Sequence, residues 1–263
     1  MMRYPLTLLL CALLVVVSGC DPREHPDVRR EQKDELLIYS GMTMIKPLLE
    51  LAKIMESEHD CVVRVTYGGT GHIAKSVRVN QIGDIFFPGE NSYIHALQND
   101  GLATDVVTVG VNQAALYVQR GNPLHISASL QELAEPGYHV VLGNELSGAI
   151  GRETKIMLSD AGLYDDAIEN VLYMATDSKG LAQAIRHQDA DLVINWKAVA
   201  FLPENKYVME ALELPETVAP KHPLQMALLS YSQHAALARA FLELARSERG
   251  QTIFRDYGFA DGS

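Results

Sequence analysis

The sequence predicts an α/β fold of two lobes, each a mostly parallel sheet flanked by helices, with a cleft between the lobes. From Leu36 onward, short apolar segments alternate with segments in which apolar residues recur every three or four positions, as strands alternate with amphipathic helices. This alternation occurs in two successive sets, which indicates two lobes. Ligands of such open sheets bind beyond the carboxyl ends of the strands, so we expect a ligand site in the cleft.

The first set consists of three predicted strands, each followed by a turn and a helix. The strands are the apolar segments ELLIYS, CVVRVTY and GDIFFPG. Thr43 and Thr70 stand ahead of the first two helices, where each could serve as the N-cap. The predicted bounds are strands at 35–40, 61–67 and 83–89 and helices at 44–58, 72–80 and 90–101.

The second set opens with a longer predicted strand at 111–123, which ends in a turn rich in glycine, asparagine and proline. The pattern then predicts helices at 129–137, 151–163 and 177–189, strands at 138–144, 190–196 and 222–232, and two closing helices within 234–259. We assign residues 36–112, with 220–263 returning, to the first lobe and residues 113–219 to the second.

The first 35 residues are predicted to lie outside the fold. Residues 1–19 have a basic start and an apolar stretch of the length of a secretory signal, and the stretch ends in VSGC, the pattern of a bacterial lipoprotein signal. Cys20 is therefore the predicted lipidation site, and the polar segment 20–35 is predicted to be a tether. An ordinary signal peptide with a chance cysteine is the alternative. Cys61 then has no disulfide partner, and we expect it to be a buried core residue.

Composition excludes some classes of function. The chain of 263 residues has a formal net charge of −11, which becomes −12 once the signal peptide and its single arginine are removed (21 − 33). Such a charge argues against binding nucleic acid or an anionic membrane surface by bulk electrostatics. An anion receptor of this charge has to rely on local hydrogen-bond donors.

Two turns, SGMT and GGTG, carry the strongest chemical signal. Each joins glycine and threonine to the start of a helix, where free backbone N–H groups and a partial positive charge attract anions. Either turn alone could be no more than a helix cap. Two of them after the first two strands of one lobe predict an anion site.

Motifs for other chemistry are absent from the sequence. A phosphate-binding loop would need Lys-Ser or Lys-Thr after Gly71, where His72 stands, and a dinucleotide loop would need a glycine at Ala74. The sequence has no nucleophile elbow, no HExxH pattern and no paired-cysteine metal site, so we predict neither an enzyme nor a bound cofactor or metal. Ser178 and Lys179 are interpreted as part of a helix start and not as a catalytic pair.

Most of the chain after the tether resembles the periplasmic substrate-binding proteins of ATP-binding-cassette (ABC) transporters, in particular the molybdate- and tungstate-binding branch. The similar segments are LLIYSGMTMIKPLLELAKIME, VRVTYGGTGHIAKSVRVNQIGDIFFPGENSYI, GRETKIMLSDAGLYD and, as the most specific, AFLELARSERGQTIFRDYGF. The resemblance implies the type II periplasmic binding protein fold and a tetrahedral dianion, in this branch a metal oxyanion, held between the lobes by neutral donors.

The resemblance also implies which residues bind. The two serine hydroxyls of that branch fall on Thr43 and Thr70, its backbone donors at two helix starts fall on Ile150 and Ser178, and its tyrosine falls on Trp196. Both threonines keep a hydroxyl, and tryptophan keeps a donor in its indole N–H, but with a different reach. These departures leave the identity of the oxyanion open, and Trp196 could instead be an ordinary core aromatic residue.

We therefore expect a monomeric, lipid-anchored receptor on the periplasmic or extracytoplasmic face of the membrane that delivers an oxyanion to an ABC permease. A sensory lipoprotein with the same fold is one alternative. A receptor for a small organic anion is another, and it would call for an arginine in the cleft. The only basic residues expected near the site are Lys75, Arg152 and Lys179, each beyond a helix start.

Overall fold

The strands form two five-stranded sheets, one in each lobe, in a computed structural model that describes residues 33–260. The elements of the first lobe are β1 (Asp34–Gly41), α1 (Ile45–Glu58), β2 (Cys61–Gly68), α2 (Thr70–Asn80), β3 (Ile85–Phe87), α3 (Ser92–Asn99) and β4 (Ala103–Asn112). The elements of the second lobe are β5 (Ala114–Gln119), β6 (Val140–Gly143), α4 (Ala149–Asp160), α5 (Tyr164–Glu169), β7 (Val171–Ala175), α6 (Ser178–Arg186), β8 (Leu192–Trp196) and β9 (Met209–Leu212). The chain then returns to the first lobe with β10 (His222–Leu229), α7 (Ala235–Arg246) and α8 (Glu248–Asp256).

The two sheets have the same arrangement of strand directions. The strand orders are β2-β1-β3-β10-β4 and β7-β6-β8-β5-β9. In the first sheet β1, β2 and β3 pair in parallel, whereas β10 is antiparallel to both of its neighbours. In the second sheet β5 is the antiparallel strand, between β8 and β9. Four strands of each sheet therefore run in one direction with a fifth inserted against them, and the predicted two-lobed α/β fold is confirmed.

Alternating side chains give the first sheet a hydrophobic layer on each face. In β3, Ile85 and Phe87 join the layer under α1, α7 and α8, whereas Phe86 joins the layer under α2 and α3. Adjacent residues of a strand point to opposite faces, so a strand buried on both faces is apolar throughout. Cys61 lies in the first of these layers, buried and without a disulfide partner among the described residues, as expected; burial raises the pKa of its thiol.

The chain passes between the lobes through two adjacent segments. It leaves the first sheet after Asn112 and enters the second at Ala114, and it returns between Ala219 and His222. The side chain of Gln113 donates a hydrogen bond to the carbonyl oxygen of Ala219, 2.9 Å away, which ties the two crossings together. Two short crossings side by side form a hinge.

Several predicted elements need correction. The single strand expected at 111–123 is two strands that belong to different sheets, with the break at Gln113. The helix expected at 129–137 is only a short 3-10 turn at Leu130–Leu133. Most of β4 and all of α5, β7 and β9 were not predicted. The first strand begins at Asp34, inside the predicted tether.

The signal peptide predicted for residues 1–19, the lipidation site Cys20 and most of the tether lie outside the described residues. Within residues 33–260 no helix is both long enough and apolar enough to span a membrane.

Candidate ligand-binding site between the lobes

A small cavity lies where the strands of the first lobe end against helix starts of the second lobe. Its volume is about 10 Å³ for the centre of a water-sized sphere, which is roughly the room that one water molecule needs. A cavity of this size excludes a bulky organic ligand, and a tetrahedral oxyanion, with five non-hydrogen atoms, would fit only if the cavity walls moved apart. It is lined by Gly41, Met42, Thr43, Met44, Gly68, Gly69, Thr70, Gly89, Gly148, Ala149, Ile150, Asp177, Ser178 and Trp196.

The structure brings all five residues of the predicted site to this one cavity, and all five are buried. They are Thr43, Thr70, Ile150, Ser178 and Trp196. They are spread along the chain from residue 43 to residue 196, so the fold and not the local sequence assembles them. That they bind a ligand remains a prediction.

Thr43 does not cap α1, contrary to expectation. It lies in a 3-10 turn, Met42–Met44, that separates β1 from the helix, and the N-cap position of α1 is held by Met44. The Thr43 hydroxyl instead reaches across the cleft to the Ser178 hydroxyl, 2.8 Å away. Either oxygen can donate in this pair, so one of the two protons remains for another acceptor.

Thr70 does not cap α2 either, because it is the first residue of the helix and Gly69 holds the N-cap position. The Thr70 hydroxyl oxygen accepts a hydrogen bond from the backbone N–H of Gly89, at 3.1 Å. An oxygen that accepts in this way keeps its own proton available. The Thr70 hydroxyl is therefore set up as a donor at the cavity wall.

Three helices begin at the cavity: α2, α4 and α6. Each starts with backbone N–H groups that have no partner inside the helix. Those of Thr70, Ile150 and Ser178 have no hydrogen-bond partner among residues 33–260. Three partial positive ends converging on one point favour an anion there, although the carboxylate of Asp177 also lines the cavity.

The backbone N–H groups at the start of α2 are divided between the second lobe and the cavity. The N–H groups of Gly71 and His72 both point to the carbonyl oxygen of Ser147, at 2.9 and 3.4 Å. The expectation that the whole α2 terminus faces an anion is therefore too broad. Only the Thr70 N–H remains for the cavity, because the second lobe uses the next two donors.

The start of α6 is capped by Asp177, whose carboxylate accepts from the N–H groups of Lys179 and Gly180 at 2.9 and 3.0 Å. The interpretation of Ser178 and Lys179 as part of a helix start is confirmed. Asp177 also lines the cavity, and no lysine or arginine in the described part of the chain does. An anion here would depend on neutral donors.

Trp196 is a core residue that also lines the cavity, so the two interpretations that the sequence left open are compatible. Its ring packs into the hydrophobic core of the second lobe and is only 2% exposed. Its indole nitrogen, however, lies 3.3 Å from the point that a β-carbon on Gly89 would occupy, at the edge of the cavity. The core position of the ring fixes the direction of the indole N–H.

Glycines at the cavity are more numerous than the sequence analysis recognised. A β-carbon on Gly89 would lie 3.3 Å from both Ala149 and the Trp196 nitrogen, and one on Gly41 would lie 3.1 Å from the Thr70 hydroxyl. Gly41 belongs to the predicted SGMT turn, whereas Gly89 was missed. Gly89 follows the third strand as Gly69 follows the second, and this repeated position was the available signal.

The glycines of the GGTG turn prove to have a further purpose. A β-carbon on Gly69 would lie 2.7 Å from the carbonyl oxygen of Thr176, and one on Gly71 would overlap that of Leu146. The structure shows that the backbone of the second lobe makes the close approach.

A second, larger cavity adjoins the first. Its volume is about 170 Å³ by the same measure, and it shares Met42, Thr43 and Ser178 with the small cavity. Its other lining residues are Ile45, Lys46, Tyr67, Lys179, Ala182, Arg186, Val199, Leu202, Glu204 and Asn205.

The basic residues of the cleft differ from those expected. Lys179 lines the larger cavity, but Lys46 and Arg186 line it too and were missed. Arg152 instead stacks over the ring of Tyr93, 5.3 Å from its centroid, and Lys75 lines neither cavity. An arginine therefore does face the cleft.

Charged and polar contacts hold the lobes together around the cavities. His222 of β10 contacts the buried carboxylate of Glu153 in α4 at 2.8 Å. This hydrogen bond raises the pKa of His222, although burial acts in the opposite direction. At the hinge the side chain of Asn112 donates to the carbonyl oxygen of Gly89 at 3.0 Å, which connects the crossing strand to the cavity.

A family model for bacterial extracellular solute-binding proteins matches residues 36–260, which is nearly all of the described chain. The chain belongs to the bacterial extracellular solute-binding protein family. Membership in this extracellular solute-binding family agrees with two lobes around a small cleft and indicates a location outside the cytoplasm.

Relatives of this solute-binding protein include the molybdate-binding protein ModA of Mycobacterium tuberculosis, which is 22% identical over 255 residues and matches 96% of this chain and 94% of its own. The periplasmic molybdate-binding protein of Azotobacter vinelandii has a similar structure, with a TM-score of 0.75 and 19% identity over 87% of this chain and all of the other. A periplasmic thiamin-binding protein is also similar in structure, with a TM-score of 0.76 and 15% identity over 88% of this chain and 84% of the other. Proteins that bind a metal oxyanion and an organic cation thus share this fold.

Proposed function

We propose that this protein is a lipid-anchored extracytoplasmic receptor that binds a tetrahedral oxyanion of the molybdate or tungstate type between its lobes and delivers it to an ABC permease. The observation that carries the proposal is the meeting of Thr43, Thr70, Ile150, Ser178 and Trp196 at one buried cavity formed by both lobes. Each of these residues has a hydrogen-bond donor to offer.

The donor set suits a fully ionised oxyanion. Removing an anion from water costs a large free energy unless hydrogen bonds replace those of water. The cavity offers the Thr70 hydroxyl, one proton of the Thr43–Ser178 pair, the N–H groups at three helix starts and the indole N–H. Several neutral donors can share a charge of −2 without a fixed countercharge that would hinder release.

Closure of the lobes supplies the second half of the mechanism. The first lobe contributes Thr43 and Thr70 and the second contributes Ile150, Ser178 and Trp196, so a ligand in the cavity contacts both. A ligand that contacts both lobes only when they are closed shifts the population toward the closed form. A permease that recognises the closed form would then receive loaded receptors. The protein needs no catalytic step for this task.

Relatives support the oxyanion without specifying it. Two proteins similar in sequence or structure are named for molybdate binding. The thiamin-binding neighbour is a reminder that the fold alone leaves the ligand open, so the cavity residues carry the proposal.

Calorimetric titration of the purified mature protein with molybdate, tungstate, sulfate and phosphate tests the proposal. We expect saturable binding of at least one ion, with the metal oxyanions favoured. Because Trp196 is the single tryptophan of the chain and lines the cavity, its fluorescence should change over the same concentration range. If no ion produces heat or a thermal shift, the oxyanion function is wrong.

The membrane parts of the proposal have separate tests. Cys20→Ser should move the protein from the membrane fraction to the soluble fraction, because it removes the predicted lipid acceptor. Cys61→Ser serves as the control, since Cys61 is buried in the first lobe. If the unaltered protein is released from membranes without detergent, the proposed lipid anchor is wrong. Failure of a membrane permease to co-purify in the presence of the bound ion would contradict delivery.

A further inference from the structure

The larger cavity is built from both lobes and opens beside the small one. The first lobe provides Ile45, Lys46 and Tyr67, and the second provides most of the remaining wall, chiefly from α6 and the segment after β8. With about 170 Å³ for the centre of a water-sized sphere, it has room for several non-hydrogen atoms. A bare oxyanion in the small cavity would leave it unfilled by ligand.

The charges in this cavity are unbalanced. The ammonium group of Lys46 pairs with the Glu204 carboxylate across the cleft at 2.5 Å. Lys179 and Arg186 have no carboxylate within 4.0 Å among the described residues, and Arg186 makes only one hydrogen bond, to the side chain of Asn205 at 3.4 Å. Two unpaired cations thus line a cavity in a chain whose net charge is −11.

The rest of the wall is mainly apolar. Ile45, Ala182, Val199 and Leu202 provide aliphatic side chains, and Met42 adds a thioether. Binding cavities of this composition take an apolar body that carries a few well-placed polar groups. A guanidinium beside an ammonium selects a carboxylate or a similar anionic group.

The residues between the two cavities are Met42, Thr43 and Ser178. Thr43 and Ser178 line both cavities, and their hydroxyls are hydrogen-bonded to each other at 2.8 Å. Both hydroxyls can rotate toward a ligand instead. A group bound in the small cavity can therefore carry a substituent past this pair into the larger one.

We infer that the two cavities form one bipartite site, which takes a tetrahedral oxyanion group joined to a short organic substituent that ends in a carboxylate. A phosphonocarboxylate has this chemistry: its phosphonate would accept from the neutral donors of the small cavity, and its carboxylate would lie in the larger cavity that Arg186 and Lys179 line. The inference rests on the proposed oxyanion site and adds a class of cargo to it.

Calorimetry with matched phosphonates tests this. Methylphosphonate has the same head group without a carboxylate, whereas phosphonoacetate and 3-phosphonopropionate place a carboxylate one and two methylenes from the phosphorus. We expect phosphonoacetate, 3-phosphonopropionate or both to bind at least tenfold more tightly than methylphosphonate. Arg186→Gln and, separately, Lys179→Gln should remove most of that advantage while leaving the affinity for methylphosphonate and for molybdate within about twofold.

Arg120→Gln is the matched control, because Arg120 is an exposed arginine that follows β5 at the end away from the hinge. The inference is wrong if the carboxylates bind no better than methylphosphonate while inorganic oxyanions bind. It is also wrong if Arg186→Gln and Lys179→Gln leave the carboxylate advantage intact. If neither phosphonates nor inorganic oxyanions bind, the proposed function fails together with the inference.

Discussion

At the scale of single residues, the direction of hydroxyl protons decides what the small cavity can bind. The Thr70 oxygen accepts from the Gly89 N–H, so its proton is free for a ligand. The Thr43–Ser178 pair uses one proton internally and leaves one. The cavity therefore presents mostly hydrogen-bond donors. The exception among its side chains is the Asp177 carboxylate, of which one oxygen accepts from the start of α6. Such a site favours an anion whose oxygens all accept.

Thr70 offers a direct test of this arrangement. Thr70→Val keeps the shape of the side chain but removes the hydroxyl, and we expect oxyanion affinity to fall about 10- to 100-fold, because a hydrogen bond to a charged group contributes about 1.5–3 kcal/mol. Thr70→Ser keeps the hydroxyl and should stay within about fivefold of the original affinity. Thr252→Val, at an exposed position in α8, is the control for the substitution itself. Equal affinities for Thr70→Val and Thr70→Ser would mean that the hydroxyl contacts no ligand.

The sequence indicated part of the candidate site and missed another part for a physical reason. Gly/Thr turns before helices pointed to Thr43 and Thr70, and family resemblance suggested three positions in the second lobe. Arg186 was not anticipated, because it lies at the far end of α6 and reaches the cleft only through packing between the lobes. Gly89 was missed because its need for a small side chain arises from Ala149 and Trp196, which belong to the other lobe.

At the scale of elements, strands buried on both faces were predictable, whereas three of the four edge strands, β4, β7 and β9, were wholly or largely missed. β3 is apolar throughout, and β8 and the part of β1 after Asp34 and Glu35 are mostly apolar and buried; each of these strands was expected. β7 was missed although all five of its residues, VLYMA, are apolar; it lies at the edge of its sheet with its three central residues exposed. The boundary at Gln113 has neither glycine nor proline, so the change of sheet leaves no local mark.

At the turn before α2, replacing either of two adjacent glycines by alanine should affect ligand binding differently. In Gly69→Ala the new methyl would overlap the Ser147 carbonyl oxygen of the other lobe, whereas in Gly68→Ala it would have its nearest neighbour 4.0 Å away. We expect Gly69→Ala to weaken ligand binding at least tenfold by opposing closure, while Gly68→Ala binds normally. Gly69 has an ordinary extended backbone, with φ at −63°, so its alanine variant should still fold.

Small-angle scattering with and without saturating ligand separates these outcomes. The protein with Gly68→Ala should become more compact on binding, as the unaltered protein should, and the one with Gly69→Ala should change little. Full compaction and unchanged affinity in Gly69→Ala would contradict the proposed closeness of the lobes.

At the scale of the whole molecule, contacts across the cleft connect stability to pH. The hydrogen bond to Glu153 raises the pKa of His222, so the folded protein holds this proton more tightly than the unfolded chain does. Its stabilising contribution is complete below the ordinary histidine pKa of 6.5 and disappears as pH rises through the raised value. Glu90 nearby acts in the same direction.

Urea unfolding at pH 6 and at pH 9 measures this contribution. The free energy of unfolding should fall by about 1 kcal/mol more in the unaltered protein than in His222→Gln, a modest figure because the ring is partly exposed. His187→Gln, at the exposed end of α6, should leave the difference between the two pH values unchanged. The same pH dependence in His222→Gln and the unaltered protein would show that the pair contributes nothing.

The position of β10 has a consequence for how the molecule assembles during synthesis. Among the described strands, β4 has β10 as its single partner, yet more than 100 residues separate the two in the chain. The second sheet, by contrast, uses a continuous stretch from Ala114 to Leu212 and can be completed as soon as that stretch has emerged. Until its last partner arrives, the first lobe has open hydrogen-bonding edges on β3 and β4. If the chain stops before residue 222 has emerged, a folded second lobe is therefore attached to an incomplete first lobe. The unpaired edges of β3 and β4 are where a chaperone would bind.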